Sequence, residues 1–455
     1  MKTIVKLMTA LMAALKKLTF RKKEQAVQAH EGQETLGNRM ANMMEQAIVY
    51  LHEHYDMRFN VLDSRAEIRA REVSELTRSG LLAVDAYTPA TKALANTLVL
   101  QLNAEGIVLW DRDMTRLLHS LRLTPFHPIE AYLAALPAWD GHDRVTPLAQ
   151  RVSNDALWVE VFGVWMRGMV KQWQGGGQSA DGIADYGGNQ LAPLLVSREQ
   201  GLHKSSFCRL LLPPALSDYF TDKYDLASRA NLTFPLTRFA LINLDEFDSL
   251  TGRELTRLKN VMQMGRINAK RPYAAFYEHM HRTASFIGTS NSRELLTDPT
   301  GARRFFCQEV AAMIDCNTPL DHAQLYAQLL QELQNGLPYY PDKALEARIE
   351  HNNRAFYKAS ALREAFIRTF DYATTDTSSP LEEAEGWQWM TATEIMSTLM
   401  KCYGTRTISG TPSMLGRQLT FLHLQRRHAE AGNVYRVRRK NENYIIKLKW
   451  GEKNS

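Results

Sequence analysis

The sequence has few cysteines and no long apolar segment. Four of its 455 residues are cysteine, and they stand far apart at Cys208, Cys307, Cys316 and Cys402, with no C-x-x-C pair. This spacing argues against a disulfide framework and against a zinc site, and it favours a reducing, cytoplasmic setting. Beyond the N-terminus, no stretch approaches the roughly 20 apolar residues that a membrane span requires.

The N-terminus has some features of a secretory signal. An apolar run from Leu7 to Leu15 lies between Lys6 and the pair Lys16–Lys17, and further basic residues follow. Because the lysines recur at helical spacing, we predict a basic amphipathic helix, with a signal peptide or membrane anchor as the alternative.

The chain length predicts roughly three domains at about 150 residues each. Residues 174–190 contain six glycines, which excludes continuous helix or strand, and residues 374–386 have no apolar periodicity. Both segments are typical of linkers. We predict a mostly helical N-terminal region (1–173), a Gly-rich linker (174–190), a core domain (191–345), a helical extension (346–373), a second linker (374–386) and a basic C-terminal domain (387–455).

The core domain alternates apolar strand-like runs with helical segments. "LAPLLVS", "FALINLDEFD" and "ASFIGTSN" predict strands, "KSSFCRLLL" predicts a helix, and Thr251 with Glu254 forms a capping-box signature that begins another helix. This alternation predicts an α/β fold with a parallel sheet. The ligand site of such a sheet lies at the carboxyl ends of its strands.

Polar residues that suit nucleotide chemistry follow three successive predicted strands. Lys204, Asp245 and Asn291 stand in that order, and "REQGLHKSS" has the layout of a phosphate-binding loop. The pattern G-x-x-x-x-G-K-[ST] requires glycines at 198 and 203, where this chain has Arg198 and His203. If His203 adopts a positive φ, we expect strain of about 1 kcal/mol, which a folded domain can absorb.

Each of these residues has a possible chemical role. Gly201, Lys204 and Ser205 could supply a backbone donor, a cation for the phosphates and a hydroxyl for Mg²⁺, with Lys204 at a solvent-facing junction. Asp245 could hold the metal's water shell while Glu246 orients an attacking water. Asn291 could position that water or sense the γ-phosphate. Taken singly, such residues are more often a helix start or a solvated strand end, so their order carries the prediction.

Downstream, "TGARRF" provides Arg303 and Arg304 as candidate arginine fingers that stabilise transition-state charge in a neighbouring subunit's site. Between Asp245 and Asn291, residues 265–282 mix basic and aromatic side chains. Lys270 and Arg271 suit phosphate contacts and Tyr273 suits base stacking, although a solvated face over an apolar strand is the alternative.

The C-terminal domain is strongly basic. Residues 387–455 contain twelve Lys and Arg against four acids, an excess of eight positive charges where the whole chain has +6. Two helices followed by strand-like runs predict a winged helix, which DNA binding or subunit docking would explain. For DNA binding, the candidate residues are Arg417 on the second helix and Arg436, Arg438 and Arg439 on the wing.

The ordered runs "QGLHKSSF", "LINLDEFD", "KRPY", "FIGTSN" and "DPTGARRFF" resemble the virulence-associated E family, especially members from mobile elements of Bacteroides-type bacteria. The likeness covers roughly residues 50–340. That family's core is similar to superfamily 3 helicases, so the resemblance implies an AAA+-like P-loop ATPase that uses ATP and Mg²⁺ and forms rings, possible hexamers included. It implies a Walker A motif at Gln200, Gly201, Lys204, Ser205 and Ser206, metal binding by Ser205 and Asp245, a Walker B pair at Asp245 and Glu246, a sensor at Asn291, a finger at Arg303 or Arg304, and DNA contacts at Lys270 and Arg271.

Two functions follow from these observations. The first is a DNA-stimulated ATPase, a ring-forming helicase that serves replication of a mobile element. The second is a non-hydrolysing DNA-binding or regulatory protein with a degenerate P-loop, because His203 replaces the family's glycine. No metal-binding carboxylate cluster is evident in the first 130 residues, so we expect any primase to be a separate partner.

Overall fold

The computed structural model describes residues 42–175, 188–228, 232–271, 276–296, 302–358, 360–374, 386–404, 408, 410–430 and 432–440. The predicted N-terminal amphipathic helix and most of both predicted linkers lie outside these ranges. By packing, the chain divides into two units, Met1–Ala131 and Tyr132–Ser455. Within the described ranges, no helix is long and apolar enough to cross a membrane.

The first unit packs helices on one face of a small sheet. Its elements are α1 (42–54), β1 (Tyr55–Asn60), β2 (Arg65–Ala70), α2 (Glu75–Arg78), β3 (Thr88–Pro89), α3 (Lys92–Ala104), α4 (Asp111–Leu118) and β4 (Thr124–Phe126), and α5 (Pro128–Ala134) crosses the boundary between the units. The strand order is β3-β2-β1-β4, with β1 antiparallel to β2 and parallel to β4. Alternate residues such as Met57 and Ile68 enter the core. This sheet was not predicted from the sequence.

The second unit begins with α6 (Val145–Gln150) and the tryptophan-rich helix α7 (Ala156–Trp173). Helix α7 is apolar on nearly all sides, which is typical of a buried helix. Its Trp165 indole nitrogen donates to the Phe286 carbonyl at 3.0 Å, and that of Trp173 donates to the Ala240 carbonyl at 3.2 Å. Helix α7 therefore packs with the predicted core domain, and the N-terminal region does not end at residue 173 as a separate body.

A five-stranded parallel sheet forms the centre of the second unit. The sheet strands and the helices between them are β5 (Ala192–Val196), α8 (Lys204–Leu210), β6 (Phe220–Thr221), α9 (Phe234–Arg238), β7 (Leu241–Leu244) and α10 (Gly252–Val261). A separate hairpin of β8 (Arg266–Ala269) and β9 (Glu278–His281) follows, and then come the sheet strands β10 (Ser285–Ser290) and β11 (Phe305–Glu309). The order is β11-β5-β10-β7-β6, and all neighbouring pairs are parallel. The predicted mixed α/β fold with a parallel sheet is confirmed. Helix α10 begins at the predicted capping box of Thr251 and Glu254.

The hairpin of β8 and β9 stands beside this sheet. Ile267, Ala269 and Met280 point into the core, whereas the alternate residues are exposed. Arg282, which the sequence places among the basic residues of this segment, is 1% exposed. Its guanidinium donates to the carbonyls of Met262 at 2.6 Å and Asn189 at 2.7 Å, so it serves the fold and offers no surface for DNA.

The C-terminal part joins several helices to a small antiparallel sheet. It follows α11 (His322–Gln334), which packs against α7, and α12 (Lys343–Asn353), which packs against β11. Its elements are α13 (Ala361–Thr369), β12 (Phe370–Tyr372), β13 (Trp387–Thr391), α14 (Ala392–Tyr403), α15 (Pro412–Phe421), β14 (Arg426–Ala429) and β15 (Gly432–Arg439). Strand β15 pairs with β12, β13 and β14. Phe366 of α13 shares one core with Leu415 and Val437. Since β12 pairs with β15 across the predicted second linker, this part includes residues 361–372 and does not begin at 387.

Candidate functional site

Two residues of the loop between β5 and α8 have a positive φ. Gly201 has φ +78° and His203 has φ 60° and ψ 24°, the left-handed conformation expected if this loop takes the P-loop form. Glycine adopts this conformation without strain, and a histidine there costs about 1 kcal/mol. The His203 side chain is exposed, and no atom lies within 4 Å of a Cβ built on Gly201, so the surface above the loop is open.

Lys204, the first residue of α8, is enclosed by acceptors. Its Nζ donates to Ser197 Oγ at 2.7 Å, to Asn291 Oδ1 at 2.9 Å and to the Glu199 carbonyl at 3.4 Å. The side chain is 8% exposed, which corrects the expectation of a solvent-facing lysine. Burial lowers the pKa of Lys204, and the negative charges of Asp245 and Asp248 partly oppose that shift.

Asp245 and Glu246 lie directly after β7 but differ in their surroundings. The Asp245 carboxylate accepts a hydrogen bond from Ser205 Oγ at 3.2 Å and another from Thr289 Oγ1. Glu246 is exposed and takes the left-handed conformation, with φ 51°. The structure thus fixes one carboxylate between two hydroxyls and turns the adjacent carboxylate toward solvent.

Asp248 belongs to the same site, although the sequence interpretation did not single it out. Ser290 Oγ donates to its Oδ1 at 2.6 Å, and the Ser292 amide donates to Ser290 Oγ at 3.0 Å. These two bonds fix the chain on both sides of Asn291, the residue that contacts Lys204. The available signal was the acidic spacing in "LDEFD", where the third acid follows Asp245 by three residues.

The donor set fits Mg²⁺ better than a metal that needs a protein cage. Among the described residues, no group of three or more His, Cys, Asp and Glu side chains could hold a metal ion. Ser205 and Asp245 together present a hydroxyl and a carboxylate within 3.2 Å. Mg²⁺ typically takes one or two protein oxygens and completes its octahedron with water and phosphate oxygens. Gln200 and Ser206, which the resemblance also assigns to the loop, are exposed.

Arg303 and Arg304 lie at the other edge of the sheet. They precede β11, whose first residue Phe305 pairs with Ala192 at the beginning of β5. Five residues of strand, about 17 Å at 3.3 Å per residue, separate them from the edge that carries Lys204 and Asp245. Arg303 Nη1 lies 3.3 Å from Glu346 Oε2, and burial lowers the pKa of Arg304. The structure therefore does not bring these arginines to the edge that carries Lys204 and Asp245 in their own chain.

Residues 133–358 match the family model of the virulence-associated protein E-like domain. The chain carries a virulence-associated protein E-like domain. The match confirms the resemblance found in the sequence, although residues 50–132 lie outside it. The sequence matches no curated protein.

Structural comparison matches the chain to the apo C-terminal region of NrS-1, at 12% identity and a TM-score of 0.42, with 86% of this chain and 98% of that chain covered. The A form of the same region has 13% identity and a TM-score of 0.40 over 86% of this chain and 97% of that chain. Similarity at this level is too low to inform function.

The virulence-associated protein E-like domain includes the predicted DNA-contacting hairpin. Lys270 is exposed after β8, and Arg271 Nε lies 2.9 Å from Glu278 Oε2 on β9. Phe276 and Tyr277 follow, 81% and 70% exposed. Exposed aromatic rings next to cations are the groups that stack on bases and contact phosphates. Tyr273 lies outside the described residues.

The predicted DNA-binding arginines beyond the virulence-associated protein E-like domain differ in exposure. Arg417 is exposed on α15. Arg436 is 9% exposed, with its guanidinium 5.9 Å from each of the ring centres of Trp387 and Trp389. Two further arginines lie at the end of β15. Arg438 pairs with Asp371 at 3.0 Å, and Arg439 Nη2 lies 3.7 Å from Cys402 Sγ. Their contact with DNA stays a prediction.

Proposed function

We propose that the protein is a DNA-stimulated ATPase whose virulence-associated protein E-like domain forms the P-loop core of a ring-forming helicase. One observation carries the proposal. Three polar groups from separate loops, Lys204, Asp245 and Asn291, meet at the carboxyl edge of one parallel sheet, joined through hydrogen bonds to Lys204 and Ser205. This edge is where open α/β sheets bind ligands.

Each side chain has a task that its position supports. Amide groups at the start of α8 favour an anion, and Lys204 adds a positive charge beside them. Bound Mg²⁺ would neutralise charge on the β- and γ-phosphates, with Ser205 and Asp245 as its protein ligands. Glu246, exposed and free of the hydroxyls that occupy Asp245, orients the attacking water. Asn291 links the position of the attacking water to Lys204.

The arginine pair supports action between subunits. Because Arg303 and Arg304 lie about 17 Å from their own chain's nucleotide edge, they serve as fingers only if a neighbouring copy presents its site to them. A ring in which each subunit's finger edge meets the next subunit's nucleotide edge satisfies this condition. We propose a closed homo-oligomer on this ground, with a hexamer as one form.

The proposed substrate is DNA, and the proposed role is replication of a mobile element. The hairpin with Lys270 and Arg271 would grip the strand in the channel, and the basic C-terminal part, proposed as a winged helix, would add affinity. A primase would be a separate protein. The mobile-element role rests on the family to which the domain belongs.

ATP turnover with and without single-stranded DNA tests the proposal. We expect Mg²⁺-dependent turnover that DNA increases. Nucleotide binding without turnover in either condition would instead favour a non-hydrolysing regulatory protein, which the left-handed His203 in a glycine's place supports. Absence of nucleotide binding would overturn both forms of the P-loop assignment.

A further inference from the structure

A cleft lies between the end of α12 and the face of α15 that carries Ser413 and Arg417. Its volume is about 540 Å³, within the size range of small-ligand sites. One wall is the segment from α12 into the following 3₁₀ turn, and the other is α15 with β15. The lining residues are Glu350, Arg354, Tyr357, Ser413, Gly416, Arg417, Thr420, His423, Asn433 and Tyr435. None of them belongs to the nucleotide site.

Two basic side chains meet directly at this cleft. Arg354 Nη2 lies 2.7 Å from His423 Nε2. A guanidinium only donates, so Nε2 of His423 accepts this hydrogen bond. His423 also has φ 52°, a conformation that costs a non-glycine residue about 1 kcal/mol or more. Strain of this kind clusters at ligand sites, and a guanidinium has further N–H donors that suit an oxyanion.

The face that α15 turns toward the cleft has helical spacing. Ser413, Gly416, Arg417 and Thr420 stand at positions i, i+3, i+4 and i+7, so they share one side of the helix. This side would face the major groove if α15 acted as a recognition helix. A duplex must receive the whole helix in a groove about 12 Å wide. Arg354 lines the opposite wall of the cleft, so this wall occupies the space that a duplex would need in front of α15.

We propose that this cleft binds a short stretch of single-stranded DNA and excludes the duplex. Arg354 and Arg417 contact successive phosphates, and Tyr357 offers its ring to a base. The hydroxyls of Ser413 and Thr420 and the amide of Asn433 suit sugar and phosphate oxygens. The proposal rests on the proposed action on DNA and assigns the strand form that the C-terminal part takes.

The test compares two labelled probes by fluorescence anisotropy on the full chain without nucleotide. One probe is an oligo-dT strand and the other is a duplex of equal length. Arg354→Ala and Arg417→Ala should each weaken oligo-dT binding about tenfold, because each removes a charge-assisted phosphate contact. Each should also reduce the slope of log affinity against log salt by about 0.7.

Two further variants control for charge and folding. Arg348→Ala removes an arginine of α12 that lies outside the cleft, six residues before Arg354, and it should leave both probes unchanged. Arg354→Lys keeps the charge but loses the planar fork, so we expect an intermediate affinity. Unchanged oligo-dT binding in Arg354→Ala and Arg417→Ala, or equal losses for strand and duplex, would overturn the proposal. The binding assay contains no nucleotide, so its result does not depend on ATP hydrolysis. A failure of the ATPase assignment would appear separately, in the turnover assay.

Discussion

Lys204 Nζ lies 2.9 Å from Asn291 Oδ1, so the first residue of α8 and the residue after β10 are joined by a direct hydrogen bond. The two residues are 87 positions apart in the chain, and only the parallel pairing of β5 with β10 brings them together. A ligand phosphate that takes a hydrogen bond from Lys204 competes with Asn291 for this donor. The amide is thereby placed to respond to whether phosphate is present.

Lys204→Ala should abolish ATP binding. The lysine supplies the only positive charge argued for the loop, and its three acceptors fix it beside the start of α8. Because Asn291 is exposed and can bond to water, we expect a stability loss of no more than about 1–3 kcal/mol. Nucleotide titration and thermal melting measure the two effects. Arg209→Ala on the same helix is the control, and wild-type affinity in Lys204→Ala would contradict the P-loop assignment.

Asp245→Asn and Glu246→Gln should fail differently. Asp245 lies beside the Ser205 hydroxyl, so its amide variant should lose Mg²⁺-dependent turnover and still bind nucleotide. Glu246 lacks that contact, so Glu246→Gln should retain ATP without hydrolysing it. Single-turnover assays with labelled ATP distinguish retained ATP from released product. Normal hydrolysis in both variants would mean that the acids merely end a strand.

Asp248→Asn should shift the alkaline limit of nucleotide binding to lower pH. Burial lowers the pKa of Lys204, whereas the charge of Asp248 raises it. Removing that charge leaves burial less opposed, so Lys204 loses its proton at a lower pH and its attraction for phosphate goes with it. Nucleotide affinity measured from about pH 7 to pH 10 gives the limit, given an ordinary lysine pKa of about 10.4. Asp222→Asn is the control, and coincident profiles would contradict this electrostatic link.

The sequence predicts the parts of the core that have strong local signals. Strands β5, β7 and β10 are short buried apolar runs between turns, and α10 has its capping box. Strand β6 has two residues, too few for a periodic pattern. The sheet of the first unit was missed even though β1 and β2 alternate. The alternation in "YDMRFN" and "RAEIRA" spans six residues each, a weak signal beside long helices.

The candidate site was predictable only as a set of strand ends. Sequence order places Lys204, Asp245 and Asn291 after successive strands, but it does not give burial. The enclosure of Lys204 depends on Ser197, whose hydroxyl no motif marks. In the same way, nothing in the local sequence distinguishes buried Arg282 from exposed Lys270, because the difference arises from the packing of the hairpin against α10.

Arg282→Met should destabilise the second unit strongly. The guanidinium donates to the carbonyls of Met262 and Asn189, and its removal takes this donor from both buried acceptors. The carbonyl of Ala284 keeps a second donor, the Gln172 side-chain amide. Each unsatisfied acceptor costs about 1–3 kcal/mol, so we expect a loss of about 3 kcal/mol or more. Chemical denaturation measures it. Arg253→Met, exposed on α10, should change stability by less than about 0.5 kcal/mol. Equal stability of the two variants would show that Arg282 is not needed as a donor.

Lys270→Ala combined with Arg271→Ala should uncouple DNA from ATP turnover while sparing static DNA binding. The hairpin exposes Lys270, Phe276 and Tyr277, and we propose that this surface grips a strand only within an assembled channel. Affinity outside the channel should reside in the basic C-terminal part, so its removal should weaken DNA binding and leave basal turnover nearly intact. The deletion should begin at residue 360, since β12 pairs with β15. Turnover and anisotropy measured together decide the matter: if the double variant loses affinity and keeps DNA stimulation, the hairpin is a binding surface and the coupling lies elsewhere.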